Sequence, residues 1–198
     1  MHEIMKKWVV SIMSLGFVFL LAVAISYTMK KDRSETNSKS LQTTHGDKPE
    51  SKMRLTSYIF ENNGKIPKNY TCDGTNISPP LTISDVPYNS KSLVLIVDDP
   101  DAPSGNWVHW LVWNIDPDIT NIEEARVPKG GIQGMNDFGT LEWGGPCPSS
   151  GNHRYTFKII ALDTKLEVPD ESNRQIVEAA TRGHILDQTT LVGLYSRR

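Results

Sequence analysis

The feature that most constrains this chain is a short, nearly continuous apolar run, SLVLIV at Ser92–Val97. A strand buried on both faces has such a run, whereas a strand with one solvent-facing side alternates apolar and polar residues. Other layers of structure must therefore cover both sides of this segment. The chain also has 12 prolines and 14 glycines in 198 residues. These residues interrupt regular secondary structure, so their number favours short strands joined by long loops over a helical bundle.

Further strands and one helix are predicted around this run. The remaining strand-like segments are Leu55–Phe60, a short extended piece at 66–71, Trp107–Ile115, Arg154–Leu162 and Thr190–Tyr195. Pro169 opens a helix in which Ser172 and Gln175 fit a capping box. The apolar face of that helix is marked at helical spacing by Ile176, Ala179, Ala180 and Gly183. Because strands far outnumber helices, we expect a mainly β sandwich of antiparallel character.

The N-terminus carries a long apolar segment. Lys6 and Lys7 precede an uncharged run at Trp8–Tyr27, which is about the length of a membrane-spanning helix. A small-residue site at 22–24 is compatible with signal cleavage, and no cysteine follows the run to take a lipid. We therefore expect residues 1–29 to be a membrane anchor or signal segment. The length favours an uncleaved single-pass transmembrane helix, with secretion after cleavage as the alternative.

The rest of the chain divides into a tether and a domain. Residues 30–52 are polar and almost free of large apolar side chains, so they are expected to form a flexible tether. Residues 53–198 form the single β domain. Large domains translocate with little regard to flanking charge, and we expect this one outside the cell membrane. The net charge of −2 gives no basic footprint, so nucleic acid is not an expected partner.

Most polar functional groups lie in three loop segments. The first, at 98–103, ends the buried strand and contains three aspartates. The second, at 107–110, opens the next strand and contains His109. The third runs from the glycine pair at 144–145 to His153. Carboxylates and imidazoles in loops are typical of a binding or catalytic site rather than of a core.

The ordered motifs in these loops resemble those of a known family. They are DPDAP at 99–103, WVHW at 107–110, NDFG at 136–139, GGPCP at 144–148 and HRY at 153–155. This set is similar to the signature of the phosphatidylethanolamine-binding proteins, in particular their bacterial and archaeal Raf-kinase-inhibitor-like branch. The resemblance runs from about residue 55 to residue 197. It implies a Greek-key β-sandwich with a few peripheral helices and one small pocket at an end of the sandwich.

The resemblance also implies a binding site and a ligand class. The implied pocket residues are Asp99, Asp101, Trp107, His109, Gly145, Pro146, His153 and Tyr155. The implied ligand is a small phosphorylated or carboxylated anion, such as a phospholipid head group, and no cofactor is expected. Some relatives of this kind regulate kinases or proteases, so a protein partner is a further expectation.

The residue chemistry is compatible with such a pocket. Anion binding needs donors, and we expect them from protonated His109 and His153 and from the backbone N–H groups of the glycine pair at 144–145. Asp99 would repel an anion, but it can orient an imidazole and keep it protonated, or accept a hydrogen bond from a ligand that carries its own proton. The predicted pocket therefore favours a weakly charged phosphoryl group and mildly acidic pH.

Three other interpretations of the sequence remain open. Asp99, His109 and His153 have the chemistry of a general acid and base for hydrolysis of a phosphoester or acyl substrate. Against this, Ser104 lacks a nucleophile-elbow context and Cys147 has no assigned base. The second interpretation is a protease inhibitor that acts through exposed loops. The third is a divalent metal held by the carboxylates and imidazoles.

Cys72 and Cys147 are the two cysteines of the chain. In an oxidising compartment, pairing them would close a loop of about 75 residues. However, the TCDG and GGPCP motifs that contain them resemble those of cytosolic relatives. We therefore favour two reduced thiols near the pocket over a disulfide.

Overall fold

The computed structural model describes residues 53–197. The predicted anchor or signal segment at 1–29 and the predicted tether at 30–52 lie outside the described residues. Within residues 53–197, no helix combines the length and the apolar character needed to cross a membrane.

The described chain is built from strands in two sheets. The strands are β1 (Arg54–Thr56), β2 (Gly64–Lys65), β3 (Leu81–Ser84), β4 (Ser92–Asp99), β5 (Trp107–Ile115), β6 (Asn121–Ile122), β7 (Ile132–Gln133), β8 (His153–Leu162) and β9 (Ile185–Tyr195). The small sheet has the order β1-β3-β6, and the large sheet has the order β2-β9-β8-β4-β5-β7. Only the short β2–β9 pair is parallel among these strands. The mainly β architecture predicted from the sequence is confirmed.

Strand β4 is buried on both faces, as its apolar run predicts. Leu95 and Val97 belong to the core between the two sheets. Val94 and Ile96 belong to a second core that includes a residue of helix α1 (Arg174–Thr181). Every residue of β4 is buried. Because a fully buried aliphatic side chain contributes about 1.5–3 kcal/mol, this strand is the main apolar spine of the domain.

The predicted strand bounds agree best where the apolar pattern is long. Strand β5 has the predicted ends, and β4 and β9 extend beyond the predicted segments. In contrast, the predicted strand at Leu55–Phe60 is wrong after residue 56, where the chain bends. Strands β6 and β7 have two residues each, which is too short to show a period in the sequence.

The predicted capping box of the helix is wrong by one residue. The N-cap is Asn173, whose side chain accepts a hydrogen bond from the N–H of Ile176. The Ser172 hydroxyl instead donates to the carbonyl oxygen of Pro169 (2.6 Å). Both residue types cap helices well, so the sequence alone did not distinguish between them.

The predicted apolar face of the helix is also wrong. Val177 and Thr181, four residues apart, are its buried side chains, whereas Ile176 is 46% exposed. Residues separated by four positions lie on one face of a helix. Ala180, next to this pair, is only partly buried against the second core.

The expected pair of reduced thiols is also wrong, because Cys72 and Cys147 form a disulfide. Their Cα atoms are 5.4 Å apart, within the range that a disulfide requires. The backbone explains the proximity: the Cys72 N–H donates to the carbonyl oxygen of Pro146 (3.1 Å). The two loops therefore run side by side, which motif resemblance alone did not reveal.

Replacing both cysteines (C72S/C147S) is expected to lower the free energy of unfolding by up to about 4 kcal/mol. The reason is that a cross-link between residues 75 positions apart restricts the unfolded chain. Urea denaturation of the full chain with and without dithiothreitol measures the effect. Dithiothreitol should destabilise the original chain and leave the double variant unchanged. An original chain that is insensitive to reductant would contradict the cross-link.

Candidate functional site

Three strand termini meet at one end of the large sheet. Strand β4 lies between β5 and β8 and is antiparallel to both. The end of β4 therefore adjoins the start of β5 and the start of β8. In the register, Asp99 lies opposite Trp107, and Asp98 lies opposite Thr156. The three segments that carry the predicted polar groups are thus brought together by ordinary strand pairing.

A β-bulge brings His109 to the same side as Asp99. Val97 pairs with Trp110, but Asp98 pairs with Val108, so His109 is an extra residue between them. In a regular strand, His109 and Trp110 would lie on opposite faces. The bulge changes this alternation, as bulges do near functional sites. Trp110 packs in the core between the sheets, while His109 lines a pocket at the strand ends.

The pocket has a volume of about 190 Å³. Its lining residues are Asp99, Ala102, Pro103, Ser104, Trp107, His109, Phe138, Cys147, Pro148, Ser149, His153 and Tyr155. Five of the eight residues predicted from the sequence are among them. The other three are Asp101, Gly145 and Pro146, which lie outside the lining.

Asp101 is turned away from the pocket toward Arg154. Its carboxylate accepts hydrogen bonds from the Arg154 backbone N–H (2.9 Å), from Nε (2.9 Å) and from a terminal guanidinium nitrogen (2.6 Å). These bonds lower the pKa of Asp101 to about 2. The Asp101 N–H also donates to Asp99 Oδ1 (2.9 Å). Asp101 therefore fixes the loop that supports Asp99 and does not line the cavity itself.

The expected floor of glycine amides is not present in the structure. The Gly145 N–H donates to Asn76 Oδ1 (2.9 Å), and the Gly144 N–H donates to the carbonyl oxygen of His109 (3.0 Å). Both donors are therefore engaged inside the protein. Pro146 uses its carbonyl to accept the Cys72 N–H. The backbone of this segment shapes the walls without offering hydrogen bonds to a ligand.

The hydrogen bond of His109 defines which ring nitrogen carries the proton in the neutral form. Its Nδ1 lies 2.5 Å from the carbonyl oxygen of Gly144. Because a carbonyl oxygen only accepts, Nδ1 carries the hydrogen and Nε2 of the neutral ring keeps its lone pair. Burial lowers the pKa of His109, although the carboxylates of Asp99, Asp98 and Asp137 partly oppose that shift. This result differs from the protonated His109 expected from the sequence.

His153 and Asp99 form a buried pair across β8 and β4. The distance between His153 Nδ1 and Asp99 Oδ2 is 2.7 Å, and Asp99 is only 4% exposed. The carboxylate accepts a bond at each oxygen, from His153 and from the Asp101 N–H. These bonds offset the cost of removing a carboxylate from water. They also fix the ring plane of His153 at the pocket wall.

Two buried donors in the lining have no hydrogen bond of ordinary geometry to another described residue, although the Tyr155 hydroxyl lies beside the Asp99 carboxylate and the Cys147 backbone. Within residues 53–197, neither the Tyr155 hydroxyl nor the Trp107 indole N–H makes a hydrogen bond of ordinary geometry. Burial, followed by the negative charge of nearby Asp99, raises the pKa of Tyr155, so its hydroxyl stays protonated. Buried donors are almost always satisfied in proteins.

Phe138 is a wall residue that the sequence analysis did not single out. Its ring packs edge-on against Trp107 (centroids 5.4 Å apart) and His109 (5.3 Å). The buried Asn136 side chain fixes this loop: its Oδ1 accepts the Phe138 N–H (3.0 Å), and its Nδ2 donates to the carbonyl oxygen of Glu142 (2.8 Å). The NDFG motif at 136–139 was the sequence feature that could have pointed to Phe138, because its Asn136 fixes the loop that carries this ring.

The metal interpretation gains no support from the geometry. Among the residues that the structure describes, no three side chains of His, Cys, Asp or Glu are arranged to hold a metal ion. Asp99 and His153 already bond to each other, and the Nδ1 atom of His109 is engaged by a carbonyl oxygen.

The neutral state of His109 predicts a titration midpoint below the ordinary value of 6.5. An NMR pH titration of the histidine ring signals in the full chain measures it, with His109→Gln assigning the resonance. Because the folded state takes up this proton less readily than the unfolded chain, His109 should also reduce stability as the pH falls below about 6.5. A His109 midpoint at or above that value would contradict the buried neutral ring.

Known relatives share this fold and sequence. The family model for phosphatidylethanolamine-binding proteins matches residues 56–196. The UPF0098 protein of Methanothermobacter thermautotrophicus is 51% identical over 150 residues, which cover 73% of this chain and 99% of the relative. A UPF0098 protein of Pyrococcus horikoshii is 48% identical over 160 residues, covering 75% of this chain and 80% of the relative.

Two solved structures are similar as well. A putative phosphatidylethanolamine-binding protein homolog from Chlamydia trachomatis has a TM-score of 0.71 and 41% identity, covering 74% of this chain and 98% of that one. YbcL of E. coli, described as a member of the mammalian PEBP family, has a TM-score of 0.69 and 32% identity, covering 74% and 99%. The fold and site define a two-sheet β protein with a small polar pocket at the strand ends. The chain belongs to the phosphatidylethanolamine-binding protein family.

Proposed function

We propose that the pocket at the strand ends binds a small phosphate monoester, the chemistry of a phosphorylated head group. The observation that carries this proposal is that two donors without a hydrogen bond of ordinary geometry in the described chain, the Tyr155 hydroxyl and the Trp107 indole N–H, occur in one lining with two imidazoles. Phosphoryl oxygens are strong acceptors for such donors. A cavity of about 190 Å³ suits a ligand of this size.

The protonation states of the pocket side chains favour a phosphate monoester over a phosphodiester. Neutral His109 presents an acceptor nitrogen, and Asp99 adds a negative charge close by. Both features favour a ligand that brings its own proton. A phosphate monoester has a second pKa of about 6, so near that pH about half of it is the monoanion, which carries one P–OH group. A phosphodiester has no such proton and leaves the His109 lone pair unmet.

The same geometry supports binding rather than turnover. Cys147 is unavailable as a nucleophile because it is bonded to Cys72. Ser104 lines the pocket, but among the described residues no base forms a hydrogen bond with it. General bases act on a nucleophile within hydrogen-bond reach. We therefore propose a ligand-binding role without covalent catalysis.

The proposed setting is the outer side of the cell membrane. The disulfide supports an oxidising compartment, since such bonds persist there and are rare in the cytosol. An uncleaved N-terminal anchor would hold the domain at the outer surface of that membrane. A kinase or protease partner, of the kind that the sequence resemblance implies, would contact the rim, where Phe138 is 47% exposed.

Removing the Tyr155 hydroxyl tests the proposed binding. Tyr155→Phe is expected to weaken phosphoethanolamine binding about ten-fold or more, because a hydrogen bond to a charged group contributes roughly 1.5–3 kcal/mol. Isothermal titration calorimetry on the full chain measures this, and Tyr88→Phe, at a fully exposed ring, is the matched control. Equal binding by both variants would show that phosphoethanolamine does not use this pocket.

The pH dependence separates a monoester from a diester. Phosphoethanolamine affinity should fall by up to about fifty-fold between pH 6 and pH 8, because the monoanion loses its proton over that range. Glycerophosphoethanolamine, a diester, should bind weakly at both pH values. The same titrations, assayed for released phosphate, also test turnover. A diester that binds as tightly as the monoester would contradict the proton argument.

A further inference from the structure

A second cavity of about 240 Å³ lies away from the strand-end pocket. Its lining residues are Asn76, Ile77, Ser78, Trp110, Ala125, Arg126, Val127, Gln133, Glu142 and Trp143. It has no lining residue in common with the strand-end pocket. The loops before β3, between β6 and β7, and after β7 form its walls, and the buried Trp110 ring lies at its base.

Two amide side chains in this cavity are fixed with their donors unused. Gln133 Oε1 accepts the Trp110 indole N–H (2.8 Å), and Asn76 Oδ1 accepts the Gly145 N–H (2.9 Å). Because an indole N–H and a backbone N–H only donate, the orientation of both amides is settled by chemistry. Across residues 53–197, neither amide NH₂ group has a hydrogen-bond acceptor. The cavity thus offers two oriented donors.

The cavity also contains one charge of each sign. Arg126 and Glu142 both line it and are both exposed. In the described part of the chain, neither side chain forms an ion pair with the other or with a third residue. A ligand that carries a negative and a positive group would meet an opposite charge for each of them.

The remaining wall is apolar. The rings of Trp110 and Trp143 meet edge to face with centroids 6.0 Å apart, and Ile77 and Val127 extend this surface. Trp143 is 8% exposed, and its indole N–H has no partner among the described groups. Such a surface favours an aliphatic or aromatic side chain.

The backbone at this cavity is held in an unusual conformation. Asn76 and Ala125 both have positive φ, at 58° and 57°. Asparagine adopts this region fairly often, but alanine rarely does. The Ala125 N–H donates to the carbonyl oxygen of Ser78 (3.1 Å), which secures the loop that carries Arg126. Residues of this kind cluster at ligand-binding sites.

We propose that this cavity binds an α-amino acid with an apolar side chain. The amide groups of Asn76 and Gln133, together with Arg126, bind the carboxylate. Glu142 binds the ammonium group, and the side chain packs on the indole wall. The cavity of about 240 Å³ has room for an amino acid the size of leucine.

Equilibrium dialysis of the full chain with radiolabelled L-leucine tests the proposal. The comparison ligands are 4-methylpentanoate, which lacks the ammonium group, and 3-methylbutylamine, which lacks the carboxylate. Leucine is expected to bind at least about ten-fold more tightly than either, since each analogue leaves one charged partner unmet. Leucine binding that is absent, or no tighter than that of an analogue, would overturn the proposal.

Substitutions at the two charges locate the site. Arg126→Ala should weaken leucine binding about ten-fold or more, whereas Arg182→Ala, an exposed arginine on another face, should leave it unchanged. Glu142→Gln should remove the preference for leucine over 4-methylpentanoate. If the Arg126 and Arg182 variants behave alike, the cavity is not the leucine site.

A variant of the other pocket separates the two sites. His109→Gln alters the strand-end pocket and should leave the leucine affinity unchanged while it weakens phosphoethanolamine binding. Loss of leucine binding in this variant would place leucine in the strand-end pocket and overturn the second site. Loss of phosphoethanolamine binding alone bears only on the proposed function of the strand-end pocket.

Discussion

The strand-end pocket depends on how the buried carboxylate of Asp99 is compensated. Asp99 is 4% exposed, and a buried carboxylate without partners would be strongly destabilising. Its two oxygens accept hydrogen bonds from His153 on β8 and from the Asp101 N–H in the loop after β4. Arg154 in turn holds Asp101. One charge thereby ties together the end of β4, the loop that follows it and the start of β8.

The two histidines of the pocket have different hydrogen-bond partners at Nδ1. His153 Nδ1 bonds to a carboxylate, whereas His109 Nδ1 bonds to a neutral carbonyl oxygen. Burial then dominates at His109 and lowers its pKa. The hydrogen bond to the Gly144 carbonyl fixes the tautomer of the neutral ring and, with the nearby carboxylates, only partly opposes that shift. The pocket thus contains an acceptor nitrogen where donors alone were expected.

The sequence was enough to predict features that follow from an apolar pattern or from a motif. It was not enough for features that depend on the distance between segments far apart in the chain. The apolar run at 92–97 was enough to place a strand buried on both faces. The motifs were enough to choose Asp99, His109 and His153, which line one pocket. The bulge at His109 left no signal, because WVHWLVW reads as a regular strand whether or not one residue is extra.

The disulfide and the glycine pair also depend on distances that the sequence does not give. Motif resemblance carries no distance between Cys72 and Cys147, so it did not reveal that their loops run side by side. The glycines at 144 and 145 suggested close approach of the backbone to a ligand. The structure uses their lack of a side chain for packing, which the residue type alone does not distinguish from ligand contact.

That packing explains why two glycines occur in succession. The segment that contains them runs from Trp143, in the wall of the second cavity, to Cys147, in the wall of the strand-end pocket. A Cβ on Gly144 would collide with the Phe138 ring of the strand-end pocket, and a Cβ on Gly145 would collide with Asn76 of the second cavity. Close packing on opposite sides, rather than ligand contact, therefore requires glycine at both positions.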